Sequence, residues 1–215
     1  IVFGDWSSDV CSSDLWSEGE VDFVRNVFVS QTDDIVVLSI RASKAKSIQA
    51  SLSLAPHDMF DRFTFMGHNT DVNVQFSASV EGEWLTLTAK RPDGKMFGAM
   101  ARVVTSGGQQ QARNGRIEIQ DADEVLLVAR MFVDGEVEHQ LGKLKQELTG
   151  ISTDYTQLRQ DHFGVHREKF CRLDLDLHAS THQESVNEQI MLDSYNGDVP
   201  TALIEKMFDL GRYML

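Results

Sequence analysis

The sequence predicts an α+β chain, with an antiparallel β-sandwich first and helices after it. Three observations carry that reading. From Gly19 to Val133, short apolar runs, several of them alternating at period 2, are separated by turn residues. Near Gly135 the apolar spacing changes to that of a helix. The last stretch, Pro200–Leu215, keeps helical spacing, with Leu203, Met207, Leu210 and Met214 on one stripe that Phe208 and Leu215 widen.

The first fifteen residues stand outside this pattern. Ser7–Leu15 reads Ser-Ser-Asp-Val-Cys-Ser-Ser-Asp-Leu. Its last seven residues are what a common sequencing-adapter oligonucleotide encodes in one reading frame. A Ser/Asp repeat has no apolar period, so residues 1–15 read as a non-native, adapter-derived segment and are left out of the expected fold.

The strands follow in order. Val21–Val29 and Ile35–Arg41 flank the turn residues Asp33-Asp34 and read as a hairpin. Ile48–Leu54 and Phe63–Met66 are further candidates. Val72–Val80 alternates cleanly, with Val72, Val74, Phe76, Ala78 and Val80 on one face, and Glu81-Gly82 turns it into Trp84–Ala89. Pro92-Asp93-Gly94 is another turn. Phe97–Thr105, Arg116–Ile119 and Glu124–Met131 complete the series. Gly107-Gly108 reads as a turn, and the polar Gln109-Gln110-Gln111 after it does not resemble a phosphate loop. Many short antiparallel strands joined by turns make a sandwich or an open barrel.

Past Gly135, Val137, Leu141, Leu144 and Leu148 mark a helix that Thr149-Gly150 ends. Thr153 or Asp154 can cap the next helix, from Tyr155 to about Lys169. Arg172–Leu177 alternates strictly and reads as a short strand with Leu173, Leu175 and Leu177 on one side. Glu184–Leu192 is weakly helical, Asn196-Gly197-Asp198 is a loop, and Pro200 suits the start of the terminal helix. The expected division is therefore residues 16–134 as a β-sandwich domain, 135–198 as a helical linker with a short strand, and 199–215 as the start of a helical domain. No C-cap signal follows Leu215, so the chain is expected to stop as that domain begins.

Composition bounds the function. The 215 residues are 41% hydrophobic, enough for a core, and carry 20 basic against 33 acidic residues, a net charge of −13. That balance argues against nucleic acid and against an anionic membrane surface. No apolar run approaches the ~18 residues of a membrane span. Cys11 and Cys171 make no disulfide framework, and Cys171, between Phe170 and Arg172-Leu173, is expected to be a small buried hydrophobe.

Several residues invite a chemical reading. His162, His166, His178 and His182 fall close together, and the first two lie i, i+4 on a helix, a spacing that zinc ligands use. His-Phe-Gly-Val-His lacks the glutamate of a zinc-protease helix and no acidic third ligand is specified, so structural or solvent-facing roles are favoured and no metal is expected. Asp174 and Asp176 share a strand face, where the solvated side of a half-buried strand outweighs an acid/base pair. Trp16 and Trp84 have the flat faces that sugars stack on, but a hairpin Trp such as Trp84 is expected in the core. Arg212 is expected to pair with a buried carboxylate.

One segment carries a resemblance. His162-Phe-Gly-Val-His-Arg-Glu-Lys-Phe-Cys-Arg-Leu-Asp-Leu-Asp-Leu177 resembles the linker of glycoside hydrolase family 95, the α-L-fucosidases and α-L-galactosidases. There a helix ends in His-x3-Tyr-x3-Phe-x-Arg before a Val-x-Leu-x-Leu strand. His162, Phe170, Arg172, Leu173, Leu175 and Leu177 fit it. Phe208, Gly211, Arg212, Tyr213 and Leu215 fit the Gly-Arg-Tyr helix that follows in the family, while His166 and Leu210 stand where it usually has rings. Ala122-Asp123-Glu124-Val125 is similar to the stretch before the family's last sandwich strand. The likeness covers about residues 16–215.

The resemblance implies a parent enzyme that hydrolyses terminal α-L-fucosyl or α-L-galactosyl linkages by inversion, using a Glu acid and an Asp base in an (α/α)6 barrel. Ala202–Leu215 would be the first helix of that incomplete barrel, and the catalytic residues would lie beyond Leu215. No catalytic, cofactor-binding or metal residue, and no cofactor, is therefore assigned to this chain. Its implied partners are the glycan substrate of the parent enzyme and, by intramolecular packing, the missing barrel; neither nucleic acid nor a membrane span is expected. The competing reading, from another function class, is a non-catalytic carbohydrate-binding or interaction module built on the sandwich.

Overall fold

The alternating first two-thirds of the sequence folds into stacked sheets. A computed structural model of the chain describes residues 12–56, 64–65, 68–69, 74–178, 187–197 and 199–213. In chain order the strands are β1 (Ser12–Glu18), β2 (Val21–Ser30), β3 (Ile35–Ala42), β4 (Ile48–Leu52), β5 (Thr64–Phe65), β6 (His68–Asn69), β7 (Gln75–Glu81), β8 (Trp84–Lys90), β9 (Met96–Ser106), β10 (Gln109–Arg113), β11 (Arg116–Ala122) and β12 (Glu124–Val133). The helices are α1 (Val137–Gly150), α2 (Tyr155–Phe170), α3 (Asn187–Asn196) and α4 (Thr201–Tyr213).

Among the described residues, seven strands form one sheet in the order β1-β2-β3-β12-β9-β8-β7, and three form a second, β10-β11-β4. Every pairing is antiparallel. The centre of the large sheet is covered on both faces, and the sequence there shows it. Ile35-Val-Val-Leu of β3 and Val125-Leu-Leu-Val of β12 are unbroken apolar runs rather than alternating ones, because neither face meets water. On one face Leu85, Ala101, Val103 and Val125 meet Ile48, Ile117 and Ile119 of the small sheet. On the other face Phe28, Val37, Met100, Leu126, Val128 and Phe132 meet Leu144 and Leu148 of α1 and Tyr155 and Leu158 of α2. The result is three layers: small sheet, large sheet, helices. The small sheet alternates cleanly, Ile117 and Ile119 inward and Glu118 outward, because only one of its faces is covered.

Turn chemistry fixes the strand order. Glu81 pairs with Trp84 across a two-residue loop whose Gly82 has φ +59°. Asp34 takes φ +55° in the β2–β3 turn. Gly108, at φ +62°, lies where a Cβ would run into the Gln120 carbonyl oxygen, so the chain crosses from large sheet to small at a point only glycine fits.

Four sequence expectations need correcting. Residues 12–15 are inside the fold, since β1 pairs with β2 from Ser12↔Val27 to Glu18↔Val21. An edge strand is held by backbone hydrogen bonds, which need no apolar period. Gln109-Gln110-Gln111, whose polarity suggests a flexible stretch after the Gly107-Gly108 turn, belong to strand β10, and Asn114-Gly115, at φ +51° and +73°, makes the tight hairpin to β11. Arg172–Leu177 is not a strand: no described strand runs beside it, Leu173 and Leu177 are exposed, and the Leu177 N–H donates to the Glu205 carboxylate instead. Alternation alone cannot supply a ladder. Cys171 is exposed at the end of α2, not buried. Cys11 and residues 57–63, 66–67 and 70–73 lie outside the described residues.

The helix starts follow from side-chain caps. Glu136 accepts from the Glu138 and His139 N–H groups at 3.0 and 2.7 Å, and those bonds, His139 first, lower its carboxyl pKa. Of the two candidates for α2, Asp154 is the cap, accepting from the Thr156 N–H at 2.8 Å. Asp154→Ala is expected to lower stability by about 1 kcal/mol, with Asp154→Asn close to neutral, as read by urea denaturation.

Candidate functional site

The linker helices sit on the large sheet through a few large side chains, and this joint holds two of the four histidines that the sequence singles out, His162 and His166. Phe28 of β2 points into it. The His162 ring, 4% exposed, stacks on Phe28 at 4.8 Å between centroids and 15° between planes. One helical turn on, His166 lies 5.8 Å from His162, and Phe170 stacks on His166 at 5.5 Å. The spacing i, i+4, i+8 on α2 places all three rings on one face. Tyr155 tilts against Phe28 at 6.2 Å, and the Arg41 guanidinium lies 5.0 Å over the Tyr155 ring. Burial, then the charges of His162 and Lys169, push the His166 imidazole below its ordinary pKa.

Polar contacts pin the same joint. Arg130 of β12 donates to Glu147 of α1 at 3.0 Å and to Asp34 of the β2–β3 turn at 3.1 Å. Lys169 of α2 donates to Gln31 at 2.7 Å. Trp84 is core, 9% exposed, with Arg102 and Lys145 5.8 and 5.5 Å from its ring. No sugar can reach its face. Trp16 stays 37% exposed, one face stacked on Phe23 at 5.2 Å.

The acid and metal candidates do not converge. Asp176 accepts from the His178 N–H at 2.7 Å and sits 3.3 Å from the His178 ring in an exposed local turn, and Asp174 is exposed beside it. His162 and His166 belong to the ring column, and His182 lies outside the described residues. Among the described residues, no three His, Cys, Asp or Glu side chains come together as metal ligands would, and no helix is long and apolar enough to cross a membrane. Sequence reasoning missed Phe28 and named Phe170 only as part of the linker motif; the signal for its place in the ring column was its position four residues after His166.

The terminal helices form a small cluster of their own. Ile190 of α3 packs on Ala202 and Leu203 of α4. The predicted stripe of α4 is only partly used: Leu203 is half-buried, while Ile204, Leu210 and Met207, the last 63% exposed, face outward. Met214 and Leu215, and the side chain of Arg212, lie outside the described residues.

A curated relative, "Alpha-L-fucosidase 2" of Arabidopsis thaliana, is 26% identical over 232 aligned residues, 93% of this chain and 27% of the relative. The chain thus spans about a quarter of that protein's length. A solved structure of a human-microbiome protein named as a kojibiose phosphorylase aligns with 74% of this chain and 23% of its own, at 11% identity and a TM-score of 0.48. The family model described as the glycosyl hydrolase family 65 N-terminal domain matches residues 7–134, which end at the close of β12 and take in both sheets of the sandwich. By that match the chain belongs to the N-terminal domain family of the glycosyl hydrolases described under family 65.

Proposed function

We propose that this chain is the amino-terminal sandwich and linker of an inverting exo-glycosidase that removes terminal α-L-fucosyl, or related α-L-galactosyl, units, and that the chain holds none of the catalytic groups. One observation carries the reading: the likeness to a protein named as an α-L-fucosidase covers 93% of the chain, so it runs past the matched domain at residue 134 into the helices. The His162…Phe170-x-Arg172 segment and the Gly211-Arg212-Tyr213 helix lie in that second part. An inverting site needs two carboxyl groups roughly 6.5–9.5 Å apart across a sugar. Asp174 and Asp176 are both exposed, and Asp176 is taken up by the His178 N–H, so the pair does not resemble such a site.

In this reading the work of the chain is mechanical. The sandwich and linker hold a helical catalytic domain, and the apolar outer face of α4, with Ile204, Met207 and Leu210, is where that domain packs. The test is an assay on an aryl α-L-fucoside. This chain is expected to give no turnover above background, and the product of the extended reading frame is expected to release the aryl group with inversion at the anomeric carbon. Turnover by this chain alone would refute the assignment of the chemistry elsewhere, and an extended product inactive on both α-L-fucosides and α-L-galactosides would refute the substrate class.

A further inference from the structure

We propose that β7, the outer strand of the large sheet, is a self-pairing edge: two copies of this chain join β7 to β7 antiparallel about a two-fold axis at Ser79, so that one sheet runs through both. Among the described residues no strand lies beyond β7. Its register with β8 is unbroken from Gln75↔Lys90 to Glu81↔Trp84. Glu81 and Trp84 flank a two-residue turn and so form a hydrogen-bonded pair. In an antiparallel ladder such pairs alternate with pairs that exchange no bonds. Ser79 and Ser77 therefore also bond to β8, while Ala78 and Val80 direct their N–H and C=O groups outward. Ser77, Ala78 and Ser79 are exposed, and Val80 is half-buried. Sheet edges are commonly blunted by a lysine, a proline or a bulge. Ser77–Glu81 has none of these. The opposite edge, β1, carries Asp14, in an ion pair with Arg25, and Glu18.

The strand fits a copy of itself. Antiparallel pairing centred on Ser79 sets Ala78 of each copy opposite Val80 of the other, and each such pair exchanges both main-chain hydrogen bonds. On one face the small apolar side chains of Ala78 and Val80 meet. On the other, the two Ser79 hydroxyls face each other, and Ser77 faces Glu81 of the second copy as a donor to its carboxylate. No like charges stand opposite one another. Phe76, whose ring meets Phe97 edge-on at 6.5 Å, lies outside the paired stretch. Charge also favours this place. Two chains of net charge −13 repel over most of their surface. The paired stretch holds a single carboxylate, Glu81, with the Lys145 ammonium of α1 3.9 Å from it. The stretch is short, so the dimer belongs to the weak, concentration-dependent class.

The experiment is sedimentation velocity on the whole chain over a concentration series, with circular dichroism to show that each variant is folded. The parent chain is expected to pass from monomer to dimer as its concentration rises. Ser79→Lys and Ser79→Glu each put like charges directly opposite at the two-fold axis, and each alone is expected to weaken the dimer severalfold. An equimolar mixture of the two puts lysine opposite glutamate and is expected to restore it. Added salt should then weaken the mixed dimer more than the parent one. Because Ser79 is exposed, neither change disturbs the core. A parent chain that stays monomeric throughout would overturn the proposal. So would association that persists in Ser79→Lys, for example through the outward residues of α4, or a mixture that associates no better than its components.

Discussion

Replacing Phe28 by alanine is expected to lower the stability of the chain by about 3–5 kcal/mol, the range for deleting a buried aromatic side chain. Phe28 touches α2 at two points along its length. Its ring meets Tyr155 at the first turn of α2 and His162 two turns later, and it lies in the cluster that holds Leu144 and Leu148 of α1. The cavity left behind lies between α2 and the sheet, inside the shared core, so it has little freedom to collapse. Urea denaturation gives the loss directly. Val29, the next residue, faces the opposite side of the strand and is exposed, so Val29→Ala is the internal control. It is expected to stay within ~0.5 kcal/mol of the parent chain. Similar losses for the two would mean that Phe28 does not anchor the helices.

Gly98→Val should come next in size, at about 3 kcal/mol, through overpacking rather than a cavity. Gly98 sits in the middle of the large sheet, opposite Phe132 of β12 and Thr88 of β8. A Cβ there would meet the Leu87 carbonyl oxygen at 2.6 Å and the Phe132 ring at 2.7 Å. The Phe132 ring can be moved, but the Leu87 carbonyl is backbone within the sheet and cannot. A double-mutant cycle separates the two. Phe132→Ala should cost less in the Gly98→Val background than in the parent chain, because it then relieves a clash as well as opening a cavity. Removing Phe132 should recover only part of the loss, since the carbonyl contact remains. A Gly98→Val chain within ~0.5 kcal/mol of the parent would show that the sheet makes room for both contacts.

The elements that sequence reading placed well are those whose signal is local. Val21–Ser30 and Ile35–Ala42 pair across Asp33-Asp34 as their turn residues and apolar runs imply. Trp84 lies in the core, and α1 and α2 start and end close to where capping residues and periodicity put them. Two of the misses fall on polar stretches, one with a local signal and one without. Asn114-Gly115 is a strong hairpin dipeptide, but it follows Gln109–Arg113, whose polar side chains do not look like a strand. Ser12–Leu15 has no apolar period at all and pairs with β2 through its backbone. The other misses depend on neighbours. Leu173, Leu175 and Leu177 alternate as a strand does, but no edge is offered to them. Cys171 has apolar neighbours in sequence and water in space.

The sequence by itself determined the order of a sandwich followed by helices, the change of period at Gly135 and the motifs that link the second half to glycosidases, because turns, caps and apolar spacing act over a few residues. Only the tertiary structure decided that the helices lie on the open face of the large sheet, that Phe28, His162, His166 and Phe170 join into one column, and that Ile204, Met207 and Leu210 of α4 are left facing outward. Those outcomes depend on which of two apolar faces meets which partner. Residues more than a hundred positions apart settle that, by competing for the same buried area.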